Sequence, residues 1–433
     1  MRISRTASAI GILLASLSIQ ASADNLLDVY WVAEKQDPVL RSADANRQAA
    51  RERHNQSVAQ LLPQIEATVD AKSQRQEIGD NSHTTGSNGY GLSLTQSIYH
   101  HDRYQQLKQT RARIQQADFE FGSNQRNLMS RVAENYFNVL ATADNLEFAR
   151  SEKEAVGRQL EQTKQRFEVG LIAITDVHES QAAFDQTVAQ EISAQNDLSN
   201  ARETLRELTG QFHDNLRALR DFTAALPEPD DVKFWVDTAL KNNQLVLAAE
   251  SNLEAARIEV IKQQSGHYPF VDLIGQHQYT SDAGTSFGDE SLTSSSIMLQ
   301  LTVPILSGGA TSARVRESEF LYDQALENLE KQRRSSQRSV SAAFLNVEAT
   351  ISRIKALKQA VISTQSALKA SEAGLEVGTR TTVDVLTTRR DLFRAERDHA
   401  RARYDYVLQS VKLKEAAGTL SMPDFEKTNE LLK

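Results

Sequence analysis

The sequence predicts an α+β membrane protein in which each half of the chain sends one β-hairpin ahead of a very long helical hairpin. Three observations carry that expectation. Glu168-Val169-Gly170-Leu171-Ile172-Ala173-Ile174-Thr175-Asp176-Val177 is echoed by Glu376-Val377-Gly378-Thr379-Arg380-Thr381-Thr382-Val383-Asp384-Val385, and the offset of 208 residues holds from Asn138/Asn346 to Gly210/Gly418. The fold is therefore one architecture written twice. No proline falls between Pro63 and Pro227 or between Pro304 and Pro423, which leaves room for unbroken helices. At the head of each half the hydrophobic period changes to two, the period of a strand.

Composition narrows the class. Aromatic residues are 6% and charged residues 24% of the chain, the balance of long, partly solvated helices. A net charge of -8 gives no reason to expect nucleic acid as a partner. The absence of Cys removes disulfides, thiolate chemistry and a lipidated N-terminal Cys together. Arg2 and Arg5, the apolar run from Ala7 to Leu17 and the small residues Ala21-Ser22-Ala23 read as a secretory signal over 1–23, with the mature chain starting near Asp24. No other stretch approaches the ~20 apolar residues of a spanning helix. Membrane contact is therefore expected to be peripheral or β.

The first repeat, 24–226, opens with a helical pattern from Asn25 to Leu62 whose apolar face is Leu26, Val29, Tyr30, Ala33, Leu40, Ala43, Ala50 and Val58. Asp37-Pro38 should divide it into two helices. Trp31-Val32 and Val39 to Arg51 are matched by Trp235-Val236 and Leu245 to Arg257, so a buried Trp is expected at the head of each repeat. After Pro63, Ile65, Ala67, Val69 and Ala71 alternate with Glu66, Thr68, Asp70 and Lys72. A polar, Gly-rich loop from Gly79 to Gly89 leads to a second strand, where Tyr90, Leu92, Leu94 and Ile98 alternate with Ser93, Thr95 and Ser97. Together these give a β-hairpin over about 63–100. The second repeat, 227–420, gives its hairpin over about 268–305, from Val271, Leu273 and Tyr279 to Ile297, Leu299, Leu301 and Val303, around a loop from Ser281 to Ser291.

Strands about ten residues long and apolar on one face fit a transmembrane barrel. A surface sheet packed on helices would alternate in the same way. Counting adds a condition to the membrane reading: four strands cannot close a barrel, since the smallest has ~8, and lipid does not tolerate open edges. Membrane strands in this chain would have to share one barrel with other chains.

Helical hairpins follow over about 102–210 and 308–418. A continuous helix from Asp102 to about Glu168 would be roughly 100 Å long at 1.5 Å per residue. Its seam is spaced by three and four: Leu146, Ala149, Lys153, Val156, Leu160, Thr163 and Phe167 in the first copy, Ile354, Leu357, Val361, Thr364, Leu368, Ser371 and Leu375 in the second. That is coiled-coil spacing, and such a rod needs partner helices. Gly170 and Gly378 end the outgoing helices, and Asp176 and Asp384 open the return helices at Thr175 to Leu208 and Thr382 to Ala417. Gln211 to Asp231 loses the period and ends in Pro227-Glu228-Pro229, a linker expected to cross outside the helices. Residues 421–433 read as a short polar tail.

Chemistry-bearing motifs are sparse. Gly284-Thr285-Ser286-Phe287-Gly288 has the nucleophile-elbow spelling, but it lies in a polar loop without the strand-to-helix context that turn needs. No phosphate-binding loop, dinucleotide fingerprint or zinc-helix motif occurs, so neither enzymatic activity nor a cofactor is expected. His100 and His101, adjacent in an extended segment, point to opposite faces and cannot chelate one metal together; they read as exposed imidazoles. Lys331, Arg333, Arg334 and Arg338 read as a solvated or salt-bridged helix face. Asp176, Arg380 and Asp384 have two readings. An Asp near a helix start suits capping and the dipole, whereas in a symmetric ring Asp384 would repeat around the axis as a circle of carboxylates.

The residues Leu62-Pro63-Gln64, Leu94-Thr95-Gln96-Ser97-Ile98-Tyr99, Tyr136-Phe137-Asn138-Val139-Leu140, Arg166-Phe167-Glu168-Val169-Gly170-Leu171, Ala173-Ile174-Thr175-Asp176-Val177, Val377-Gly378-Thr379-Arg380-Thr381 and Val383-Asp384-Val385-Leu386 carry a resemblance. From about Asn25 to Leu420 the chain resembles the TolC-like outer-membrane efflux and type I secretion channels, the outer membrane factor family of Gram-negative bacteria. The resemblance implies a homotrimer with a twelve-stranded β-barrel in outer-membrane lipid, continued by a twelve-helix tunnel across the periplasm. It implies a passive exit duct whose helix turns close the periplasmic end. A periplasmic adaptor and an inner-membrane ABC or proton-driven transporter would open it. By similarity Arg380 would bond to Thr175 and Asp176 on an adjacent helix pair, and Asp384 would form the carboxylate ring. The chain departs from the family's best-known member at Leu375, where that protein has Tyr in the closing network, and at Thr387, where it has a second Asp. A looser closed state and a less cation-selective entrance are expected from these changes. The alternative is a periplasmic coiled-coil adaptor or structural protein whose hairpins serve as packing sheets.

Overall fold

A computed structural model describes residues 23–281 and 291–433. The proposed signal segment and the elbow-like Gly284 to Gly288, Ser286 included, lie outside the described residues. The repeat is written in element lengths. Helices α1 (Leu26–Gln36) and α2 (Pro38–Ala59), strands β1 (Gln64–Ile78) and β2 (Asn81–Tyr99), and helices α3 (His101–Glu168) and α4 (Ile174–Thr209) make the first half. Helices α5 (Val232–Asn242) and α6 (Gln244–Gln264), strands β3 (Phe270–Ser281) and β4 (Leu292–Thr302), and helices α7 (Ala310–Glu376) and α8 (Thr382–Ala416) make the second, followed by α9 (Met422–Glu430). The outgoing helices have 68 and 67 residues, about 100 Å each.

The break between the first two helices of each half shows how local chemistry sets these lengths. Asp37 caps α2 by accepting the Leu40 amide at 2.9 Å, and Asn243 caps α6 by accepting the Leu245 amide at 3.0 Å. Asp37 and Asn243 are 206 residues apart, and so are the buried Leu40 and Val246. In that register Trp235 matches Val29 rather than Trp31. The expectation of a buried Trp in each repeat therefore fails: Trp235 is buried, but Trp31 is 46% exposed. Val58, at the end of α2, is exposed as well.

The four strands form one antiparallel sheet in the order β1-β2-β3-β4. Its register puts Ile65, Val69, Tyr90, Leu92, Leu94, Val271, Leu273, Ile297, Leu299 and Leu301 on one face, and Glu66, Thr68, Asp70, Ser93, Thr95, Asp272, Gln276 and Gln300 on the other. Val69 is 88% and Ile297 85% exposed, so among the described residues this apolar face stands largely uncovered. Tyr90 and Tyr279 stack at 5.2 Å near one end, and Tyr99 and Tyr268 stand exposed near the other. From Tyr90 to Tyr99 is roughly 30 Å along a strand, and about 25 Å at barrel tilt, the height of an outer-membrane apolar band between aromatic girdles. The expected loop from Gly79 to Gly89 is corrected. Pairing continues to Ile78↔Asn81, and Gly79, with φ +64°, turns the chain in a two-residue hairpin. That stretch carries no hydrophobic alternation because it is a ribbon with neither face in a core.

Away from the sheet the long helices lie side by side as α4, α3, α8 and α7. In α3 the seam residues Leu146, Ala149, Val156, Leu160 and Thr163 are buried, and Lys153 reaches Glu191 of α4 at 2.6 Å. In α7, Ile354, Leu357, Val361, Thr364 and Leu368 are only half-buried. The difference is one of neighbours: α3 is flanked by α4 and α8, whereas α7 meets only α8 on that stretch. Phe320, Leu321, Leu345 and Ile362 remain exposed along α7.

The main core sits midway along the rods, where α1, the linker and α9 wrap Leu128 to Ala149, Ala194 to Leu208 and Tyr404 to Val411. The linker packs closely against the helices, with Leu219 buried and bridges to Asp24 and Leu432, and one sequence expectation changes here. The terminal segment is a docked helix, its Phe425 fully buried edge-on to Tyr30 at 5.5 Å. Phe425→Ala should cost about 3–5 kcal/mol, visible as a lowered thermal midpoint of the detergent-solubilised protein. An unchanged midpoint would mean that α9 is dispensable.

No described helix is long and apolar enough to cross a membrane.

Candidate functional site

The two chain reversals at the far end from the sheet are built alike. In the first, Gly170 takes φ +75°, and the amides of Gly170 and Leu171 donate to the carbonyls of Phe167 (2.8 Å) and Arg166 (2.9 Å). In the second, Gly378 takes φ +78°, and the amides of Gly378 and Thr379 donate to Leu375 (3.3 Å) and Gly374 (2.8 Å). Each is a Schellman close, which satisfies carbonyls that a helix end would otherwise leave bare. A Cβ at either glycine would meet nothing within 4 Å. The left-handed backbone alone calls for glycine there.

The return helices open differently. Thr381 and Asp384 form a reciprocal capping box: Thr381 Oγ1 accepts the Asp384 amide at 3.2 Å, and Asp384 Oδ2 accepts the Thr381 amide at 2.9 Å and its hydroxyl at 3.0 Å. The Thr381 bonds, with the Arg380 charge behind them, hold the Asp384 carboxyl below its usual range. Helix α4 opens on Ala173, which offers no side-chain cap. Thr175 and Asp176 occupy the positions of Val383 and Asp384, and among the described residues neither makes a side-chain hydrogen bond. The capping reading therefore holds for Asp384 and not for Asp176.

Arg380 is 59% exposed, with Nη1 4.0 Å from Asp384 Oδ1. Within the chain it stands beside Asp384, while Thr175 and Asp176 lie on the other hairpin. The four residues are thus placed on two tips, two per hairpin. Three residues here escaped the sequence reading. A Cβ on Gly374 would fall 2.6 Å from Arg380 Cγ, so Gly374 makes the seat on which the Arg380 stem lies. Glu372 and Arg389 pair at 2.7 Å between α7 and α8. All three break the repeat, standing where the first copy has Arg166, Lys164 and Gln181; that mismatch was the available signal.

The remaining candidates are structural. His100 is buried rather than exposed, its Nε2 3.0 Å from Asp272 Oδ1, and His101 Nδ1 lies 2.7 Å from Ser265 Oγ. They fasten the strand-to-helix junction to the second repeat. Arg333 and Arg334 pair with Glu250 (2.8 Å) and Glu330 (2.7 Å), as a salt-bridged face does. Among the described residues no group of three or more His, Asp or Glu is placed to hold a metal.

The sequence model described as outer membrane efflux protein matches residues 29–211 and again 235–419, one match per repeat. The chain belongs to the outer membrane efflux protein family. It is 40% identical to outer membrane protein TolC of Vibrio cholerae over 425 residues, covering 97% of this chain and 96% of that one. It is 26% identical to the alkaline protease secretion protein AprF of Pseudomonas aeruginosa, covering 96% and 89%. In fold it is similar to the crystal structure of CusC, with a TM-score of 0.80 at 17% identity and 92% of each chain covered. As an outer membrane efflux protein it sets its sheet in the outer membrane and extends its helices into the periplasm. The apolar band identified on the sheet is then its lipid-facing surface, and the paired reversals are its periplasmic tips.

Proposed function

We propose that three copies form one conduit, a twelve-stranded barrel continued by a twelve-helix tunnel, which is the passive exit duct of a type I protein secretion system, a drug efflux pump, or both. One observation supports this most directly: among the described residues a sheet of four strands has one largely apolar face and leaves β1 and β4 unpaired at its edges. In lipid those edges must be closed by strands from other copies. The half-covered seam of α7 meets the same need below the membrane, since the next copy's α4 would cover it. Similarity to a protease secretion protein speaks for protein cargo, and the family's efflux members for small molecules.

The duct performs no work of its own in this reading. An inner-membrane ABC or proton-driven transporter, acting through a periplasmic adaptor, supplies the energy and opens the tips. Among the described residues Asp176 has no side-chain partner and Arg380 only a distant one, so the two are suited to meet across neighbouring hairpins. Asp384 repeats around the axis, and Gly170 and Gly378 keep the reversals tight. Fractionation with crosslinking tests the assembly. A trimer that sediments with the outer membrane and needs detergent is expected; a water-soluble monomer, as the adaptor alternative requires, would overturn it.

A further inference from the structure

We propose that Arg389 is a second clamp on the gate, one that acts within each chain and sets where its α7/α8 hairpin can bend away from its α3/α4 hairpin; the proposal rests on the duct reading above. Arg389 lies on the second turn of α8, and its side chain is 14% exposed. It leaves its own helix in two directions. Nη1 donates to the backbone carbonyl of Ala155 on α3 at 3.0 Å, and Nη2 donates to Glu372 Oε1 on α7 at 2.7 Å. One planar guanidinium thus joins three helices from two hairpins, a geometry that a forked donor allows.

Its position along the rods gives the contact its consequence. Other polar bonds between the two hairpins run from Arg401 to Asn138, Tyr404 to Asp144 and Lys412 to Glu134, all farther from the tips. Among the described residues, Arg389 to Ala155 is the polar bond between hairpins that lies closest to the reversals. Beyond it the hairpins part around a cavity of about 660 Å³, lined by Gln159, Gln162, Arg166, Glu372, Leu375 and Arg389. Leu375 on that wall has no hydrogen-bonding group to offer. A hairpin that swings outward would pivot at the last tie, so the Arg389 bonds must break or carry the tip with them. The guanidinium is largely withdrawn from water, although Glu372 is 43% exposed, and its charge-assisted bonds resist that movement. The arrangement differs from the Arg380 contact, which acts between hairpins that face each other only in the assembled ring.

The test reconstitutes the full-length trimer in planar bilayers and compares the parent with Arg389→Ala, Arg389→Lys, Glu372→Gln and Arg380→Ala. Arg389→Ala is expected to raise the time spent in the high-conductance state by about tenfold. Arg389→Lys should fall between it and the parent, because an ammonium cannot hold two divergent acceptors as a guanidinium does. Glu372→Gln should show a smaller rise, because the Ala155 bond survives, and adding it to Arg389→Ala should give no further opening. Gating like the parent in all three clamp variants, while Arg380→Ala opens the channel, would overturn the clamp and leave the duct standing. A lowered thermal midpoint with parental gating would mean that Arg389 only packs, which also overturns it. If Arg389→Ala fails to assemble, Arg389→Lys and Glu372→Gln decide by the same readout. A parent trimer that conducts no ions would remove the duct and the clamp together.

Discussion

Replacing either Arg380 or Asp176 by alanine is expected to increase the single-channel conductance of the reconstituted trimer, and replacing both should add little more. Asp176 sits at the third position of α4 with no cap to serve, because Ala173 precedes the helix. The Arg380 stem lies over Gly374, and its Nη1 stands 4.0 Å from Asp384 Oδ1. Each side chain therefore has bonding capacity that its own chain does not use. A bond between them across adjacent hairpins would be repeated three times around the axis and would hold the tips together. An exposed ion pair contributes about 0.2–1 kcal/mol, so three closing together shift the open-to-closed ratio by roughly threefold to a hundredfold. Non-additivity separates this from two unrelated effects, since residues that share one bond lose it once. Conductance unchanged in both single variants would mean that Arg380 and Asp176 do not hold the gate.

What could be read from the sequence, and what could not, divides along a physical line. Long helices were legible because nothing breaks them, and the reversals at Gly170 and Gly378 because a left-handed residue announces itself as glycine. The strands were legible only where one face is apolar. Residues 81–89 pair like the rest of β2, yet with no apolar face they carry no alternation and read as a loop. The docking of α9 depends on one residue, Phe425, in an otherwise polar stretch. The misplaced Trp equivalence came from matching a conspicuous residue instead of the caps Asp37 and Asn243, whose spacing follows the backbone. At the tips, Asp384 was readable as a cap from its own helix. Arg389 was not, because its Ala155 partner is 234 residues away, and the acceptor is a carbonyl that every residue has. Sequence patterns report what a residue does for its own element; ties between elements become visible only when the elements are placed.

Asp384→Ala should weaken both the preference for cations and the block by a trivalent cation added from the periplasmic side. In the proposed trimer three Asp384 carboxylates around the axis would concentrate counter-ions at the entrance. With Thr387 one turn farther on, each chain would supply Asp384 alone from these two positions. The alanine variant also removes the capping box with Thr381, so a looser tip would contribute to its behaviour. Asp384→Asn separates the two causes, because an amide oxygen can still accept the Thr381 amide while the charge is gone. Loss of block in the Asn variant with parental closed-state conductance would assign the effect to charge. The pH dependence supplies an independent check on sign. The Thr381 bonds and the Arg380 charge stabilise the ionised form, so the carboxylate stays charged as pH falls through the usual Asp range near 3.9 and is neutralised only below it. Block by the trivalent cation should persist to that lower pH in the parent and be flat with pH in the Asn variant. Equal block in parent and both variants would show that Asp384 caps its helix and has no part in selecting what enters.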